Sequence, residues 1–114
     1  MYPVFLNLQH FPCIIVGAGK TAQRRIFALL SEKAAVKVIA PETIPFALKG
    51  QPLQYLQTAY QPELLHGGRL VFAATNDKEL NKRIVADAQA QGMLASSVTE
   101  DAQIDFLVPA HVSV

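Results

Sequence analysis

Short, wholly apolar runs alternate along this chain with longer stretches in which apolar residues return every three or four positions. Cys13-Ile14-Ile15-Val16 is apolar at every position and stops at Gly17, which predicts a strand covered on both faces. Ala22, Ile26, Leu29 and Leu30 then share one helical face, with Gln23, Arg24 and Arg25 on the others. Val36-Lys37-Val38-Ile39-Ala40 reads as the second strand, ended by Pro41, because proline has no N–H to give to a ladder.

The middle is less regular. Residues 45–49 and 62–65, opened by Pro45 and Pro62, predict single helical turns, and residues 53–56 a short third strand. Leu70-Val71-Phe72-Ala73-Ala74 is a fourth strand. The helix after it has Asn76 as cap with Glu79 three residues on, an apolar face of Leu80, Ile84 and Ala88, a stop at Gly92, and Glu79 and Arg83 spaced as an i, i+4 ion pair. Residues 93–97 and 106–108 supply two further short strands. Strands alternating with helices predict a doubly wound α/β fold: a mostly parallel sheet of five to six strands with helices on both faces, in the order 3-2-1-4-5 with the sixth at the edge.

Composition narrows the function classes. At 114 residues the chain suits one domain over 1–114, with 51% apolar and 17% charged residues arguing for a well-filled core. Ten basic against nine acidic residues leave a formal charge of +1, too little to draw nucleic acid or an anionic membrane. No apolar stretch approaches the roughly 18 residues of a membrane span. The N-terminus has no secretory pattern, so a cytoplasmic protein is expected. Cys13 reads as a core thiol. His10, His66 and His111 are scattered without metal-ligand spacing, so no metal site is expected.

The chemistry concentrates at Gly17-Ala18-Gly19-Lys20-Thr21-Ala22, between the first strand and its helix. Gly17 permits the tight turn, Gly19 lets backbone approach a pyrophosphate, and Ala22 lets helix and strand pack closely. The helix N-terminus adds free N–H groups and a partial positive charge. With a strand before, a helix after and a second strand at the right distance, the motif predicts a Rossmann-type site for a nicotinamide dinucleotide. Glu42 stands where an acidic residue receives the adenine ribose hydroxyls, which favours NAD over its phosphorylated relative. The competing reading is a solvated loop charge. Lys20, Arg24 and Arg25 are candidates for phosphate contact, Lys20 foremost. Thr75-Asn76-Asp77 ends the fourth strand beside the switch point, either to meet ligand, to cap the helix, or both.

Five segments together resemble one family: Met1-Tyr2-Pro3-Val4-Phe5-Leu6, Val16-Gly17-Ala18-Gly19-Lys20-Thr21-Ala22-Gln23-Arg24-Arg25, Val38-Ile39-Ala40-Pro41-Glu42, Ala73-Ala74-Thr75-Asn76-Asp77 with Leu80-Asn81, and Asp105-Phe106-Leu107-Val108-Pro109-Ala110. They are similar, in order and over essentially the whole chain, to the N-terminal domain of sirohaem (siroheme) synthase, the precorrin-2 dehydrogenase/sirohydrochlorin ferrochelatase. The resemblance implies NAD-dependent removal of hydride and proton from precorrin-2, a tetrapyrrole, giving sirohydrochlorin, with ferrous iron insertion in many members. By position, Lys20 and Thr21 contact NAD at the phosphate turn and Pro41 and Glu42 line the adenosine side.

The sequence departs from that family in two places. The family's aspartate, a general acid/base placed before the Phe-x-x-Pro segment, corresponds here to Thr99, whose hydroxyl is no base near neutral pH without an activating partner. Asp101, standing where the family has a proline, is the replacement carboxylate the sequence offers; Glu100 is the other. The family also continues into a region that pairs two subunits and walls the tetrapyrrole site, whereas the 114 residues of this sequence stop at Val114, before it. Besides the enzyme, two readings stay open: a non-catalytic or regulatory nucleotide-binding module, and a partner subunit that has lost the nucleotide.

Overall fold

The structure, a computed structural model, describes residues 1–99 and 103–108. Five parallel strands form one sheet in the order β3-β2-β1-β4-β5: β1 Pro12–Val16, β2 Ala35–Ala40, β3 Leu53–Gln57, β4 Leu70–Ala73 and β5 Leu94–Ser97. Two helices cross over, α1 Lys20–Ser31 between β1 and β2 and α2 Lys78–Ala90 between β4 and β5. The connections on either side of β3 hold only 3-10 turns, Phe46–Leu48 and Pro62–Leu65.

Alternation along the strands sorts the core into two layers. Cys13, Ile15, Val36, Val38, Leu70 and Phe72 pack on the face covered by α1 through Ala22 and Ile26. Ile14, Val16, Ile39, Val71, Ala73 and Ala95 face α2 through Ile84, Val85 and Ala88. Full burial of each large aliphatic side chain contributes about 1.5–3 kcal/mol, and strands buried on both faces need the unbroken apolar runs seen in the sequence. Cys13 lies in the first layer as expected, and burial pushes its thiol up to about 11.

Three expectations are corrected. The α2 cap is Asp77 rather than Asn76: one Asp77 carboxylate oxygen accepts from the N–H groups of Glu79 and Leu80 at 3.0 and 3.1 Å. A charged acceptor at the positive end of the helix outcompetes a neutral amide one residue earlier. Glu79 pairs with Lys82 at 3.7 Å instead of Arg83, whose guanidinium lies 5.5 Å from the centre of the Tyr60 ring.

Residues 106–108 form no sixth strand. Asp105 reaches the β5 edge first, its N–H donating to the Ala95 carbonyl at 2.7 Å and its carboxylate accepting from the Ala95 N–H at 2.9 Å. Ser96 Oγ then donates to the Phe106 carbonyl at 2.7 Å, and the Phe106 side chain joins the α1-side core. With the Asp105 carboxylate on the Ala95 N–H, that donor takes a side chain where a ladder would need a main-chain carbonyl. Gly92 ends α2 as expected, in the left-handed region at φ 81°, with Met93 N–H donating back to the Ala88 carbonyl.

Candidate functional site: a cleft at the strand ends

At the carboxyl ends of β1, β2 and β4 lies a cleft of about 450 Å³. A larger, more open groove of about 570 Å³ sits at the opposite ends of the strands, beside Lys37 and His66, and holds none of the residues expected to bind. The smaller cleft is the candidate because ligands of open α/β sheets collect where the strand order reverses, outside the carboxyl ends.

The glycine turn forms one wall. Gly17 sits at φ +121°, where only glycine is at ease, and a Cβ there would stand 2.7 Å from the Ala74 carbonyl carbon. Its N–H donates to the Ile39 carbonyl at 2.9 Å, while the Ala74 N–H donates to the Val16 carbonyl at 2.8 Å. Gly17 therefore joins three strand ends at their closest approach. Gly19 differs: its φ is −76°, and a Cβ there would meet nothing within 4 Å. Its lack of a side chain relieves no contact within the protein; it keeps open space beside the α1 N-terminus, whose first turn has no side-chain cap and no acidic residue. Such an end offers N–H groups to an anion, so this wall fits the pyrophosphate of a dinucleotide.

Of the other turn residues, Ala18 lines the cleft, Lys20 is exposed, and Thr21 is half-buried with its hydroxyl accepting from Arg24 Nη2 at 3.3 Å. Ala22 is fully buried against β1 and acts as the close-packing residue. Arg25 lies over the Phe72 ring, 5.5 Å from its centre, away from the cleft lining.

Pro41, Glu42 and Pro45 form a second wall after β2, and Ala59 and Tyr60, after β3, line the cleft too. Sequence reasoning did not single out Tyr60. Its hydroxyl donates to the Asp87 carboxylate on α2 at 2.7 Å, and burial, followed by that hydrogen bond and the Asp87 charge, pushes the phenol far above its ordinary range. Tyr60 is thus a neutral donor tying the β3 exit to α2. An aromatic before Gln61-Pro62 carried no signal for this role.

Thr75, Asn76 and Asp77 form the third wall. Behind them Asn81, 1% exposed, uses its whole amide: Oδ1 accepts from the Thr75 N–H at 3.1 Å and from the Thr75 hydroxyl at 2.6 Å, and Nδ2 donates to the Thr75 carbonyl at 3.1 Å and to Thr99 Oγ1 at 3.0 Å. An amide has two acceptor sites and two donors, so Asn81 is saturated. Thr99 is 6% exposed and is not among the residues lining the cleft. Asp101 and Glu100 lie outside the described residues, as does His111. Among the described residues, no three His, Cys, Asp or Glu side chains are grouped to hold a metal ion.

A parallel sheet whose order reverses beside β1, with a glycine turn feeding a helix N-terminus at the reversal, defines a Rossmann-type nucleotide-binding domain. A sequence profile for the family described as "Putative NAD(P)-binding" matches residues 4–110, and the chain belongs to that family. It is 40% identical over 115 residues to a siroheme synthase of Chromobacterium violaceum, covering 97% of this chain and 24% of that protein. A siroheme synthase of Psychromonas ingrahamii is 38% identical over 113 residues, covering 96% of this chain and again 24% of the relative. The chain thus spans about a quarter of the length of these curated relatives. Among solved structures, SirC, precorrin-2 dehydrogenase, superposes with a TM-score of 0.83 at 31% identity over 99% of this chain and 57% of the other. The resemblance to siroheme synthases read from the sequence is borne out over nearly the whole chain.

Proposed function

We propose that this chain binds NAD across the cleft and forms the cofactor-binding part of a cytoplasmic precorrin-2 dehydrogenase, which oxidises the tetrapyrrole precorrin-2 to sirohydrochlorin in siroheme biosynthesis. The carrying observation is the convergence of Gly17, Ala18 and Gly19, the Pro41–Glu42 segment, and Thr75, Asn76 and Asp77 on one cleft. In this reading Gly17 and Gly19 admit the pyrophosphate, Lys20 and Thr21 flank it from the first turn of α1, and Glu42 takes the ribose hydroxyls. Thr75, Asn76 and Asp77 border the reacting end. The bound nicotinamide supplies the hydride acceptor. The protein holds it against the strand ends and receives the accompanying proton, a task assigned to Asp101 because Thr99 has no basic group to offer.

The test is to mix protein, NAD and precorrin-2 and follow NADH absorbance. NADH formed in step with sirohydrochlorin supports the reading, and NAD binding without turnover overturns its catalytic part. Iron insertion and a homodimeric assembly, both implied by the resemblance, are read separately from siroheme formation and from the mass of the particle in solution. A second reading, a nucleotide-binding module without dehydrogenase chemistry, is favoured by the Thr99 hydroxyl being engaged by Asn81 in a buried network. Turnover that appears only in Thr99→Asp selects it.

A further inference from the structure

Glu42 stands on a loop held more firmly than a solvated turn requires. The five residues from Pro41 to Pro45 begin and end with proline, whose ring fixes φ, and Pro45 sits at φ −60°, ψ 145°. Between them Ile44 packs into the α1-side core. The fourth restraint comes from another strand: the Tyr55 hydroxyl, thirteen residues away on β3, donates to the Glu42 main-chain carbonyl at 2.8 Å. The Tyr55 ring belongs to the same core layer as Ile44, so the phenol is anchored at its base and spends its tip on this one carbonyl. Glu42 itself is exposed and lines the cleft beside Pro41 and Pro45.

We infer that Tyr55 is a positioning residue for cofactor discrimination: by fixing the Glu42 main chain it holds a carboxylate at the cleft wall, favouring a dinucleotide with free ribose hydroxyls over one with a 2′-phosphate. The inference rests on the NAD-binding reading above and adds to it the residue that sets selectivity. A carboxylate accepts hydrogen bonds from a ribose diol and repels a phosphate, and both effects depend on where it is held, so a loosened loop weakens the attraction and the repulsion together. The two residues also sense each other. Burial first, and then the Glu42 charge, raise the Tyr55 phenol above its ordinary range, keeping it the neutral donor the bond needs.

The experiment is calorimetric titration of NAD and NADP into the parent chain, Tyr55→Phe, Glu42→Gln and the double variant, with thermal unfolding of each. Tyr55→Phe keeps the ring in the core and removes only the hydroxyl. It is expected to weaken NAD and to leave NADP unchanged or strengthen it, lowering the preference for NAD by about three- to tenfold, the range of one net hydrogen bond. Glu42→Gln, a change at an exposed position, is expected to abolish the preference, and Tyr55→Phe is expected to add nothing in that background. Equal loss of both nucleotides in Tyr55→Phe, persistence of its effect on the preference in the Glu42→Gln background, or a parent chain that binds NADP as tightly as NAD overturns the inference alone. A parent chain that binds neither nucleotide overturns the NAD-binding reading, and the inference with it.

Discussion

The two ends of the cleft are built from opposite materials. Around Gly17, Ala18 and Gly19 the protein presents main chain and space: a Cβ at Gly19 would touch nothing, and the first turn of α1 has no side-chain cap. At the other end the Thr75 wall is backed by Asn81 and Thr99, buried polar side chains committed to one another, with every donor and acceptor of the Asn81 amide in use. Open polar groups at one end suit a ligand that brings its own charge. Saturated groups at the other give rigidity, because a half-satisfied buried network would cost more than an apolar one. The first end therefore fits an anionic ligand, whereas at the second the Thr99 hydroxyl is held by Asn81 and position 99 carries no carboxylate.

The sharpest way to break this contrast is at Gly17, the glycine of the turn that the fold itself needs. Gly17→Ala places a Cβ against the Ala74 carbonyl at a φ unsuited to alanine, and a loss of about 3–4 kcal/mol is expected in denaturant unfolding, with nucleotide affinity falling alongside. Asn81→Ala comes next, at about 2–3 kcal/mol, since it strips partners from Thr75 and Thr99 in a buried site. A smaller cost, near that of a surface substitution, would show that solvent reaches the network and that the second end is not closed.

Gly19→Asp separates binding from folding. The unfolding curve is expected to stay within about 0.5 kcal/mol of the parent, because the new side chain has open space and can cap α1, while NAD affinity in calorimetry drops at least about tenfold through lost access and like charge. An equal fall in stability would erase the distinction between the two glycines. The smallest effect belongs to Thr99→Val, which leaves one Asn81 N–H without its acceptor. About 1 kcal/mol of stability is expected to go, with NAD affinity unchanged in the same titration.

What could be read in the sequence follows from how each residue's role is encoded. The β1 and β4 runs were legible because burial on both faces forces continuous apolar residues, β2 was legible because only Lys37 interrupts such a run before Pro41, and the strand order followed from the alternation with helices. Gly17 was legible because few residues tolerate its backbone. Asn81 was not assigned its role, for a polar side chain on an apolar helix face gives no sign of whether it meets solvent or a buried partner. The shift of the α2 cap from Asn76 to Asp77 turned on one position between two residues with similar capping preference. Arg83 looked like the i+4 partner of Glu79 until the fold brought Tyr60 from far along the chain beneath it. Glu42 was picked out by its distance from the glycine turn, but its bond to Tyr55 was equally beyond a local reading, since that bond exists only through the β2–β3 register.

The Asp105 contact at the outer edge of β5 has a consequence for how copies of this protein behave in a crowded solution. An uncovered parallel edge offers its free N–H groups to any extended peptide, and sheets of neighbouring molecules then grow into one another. Here a charged side chain occupies the Ala95 N–H, and the main chain behind it takes the Ala95 carbonyl. A stray strand pairing at Ala95 would have to displace a carboxylate first, so the segment that fails to become a sixth strand blocks that position of the edge against intermolecular pairing.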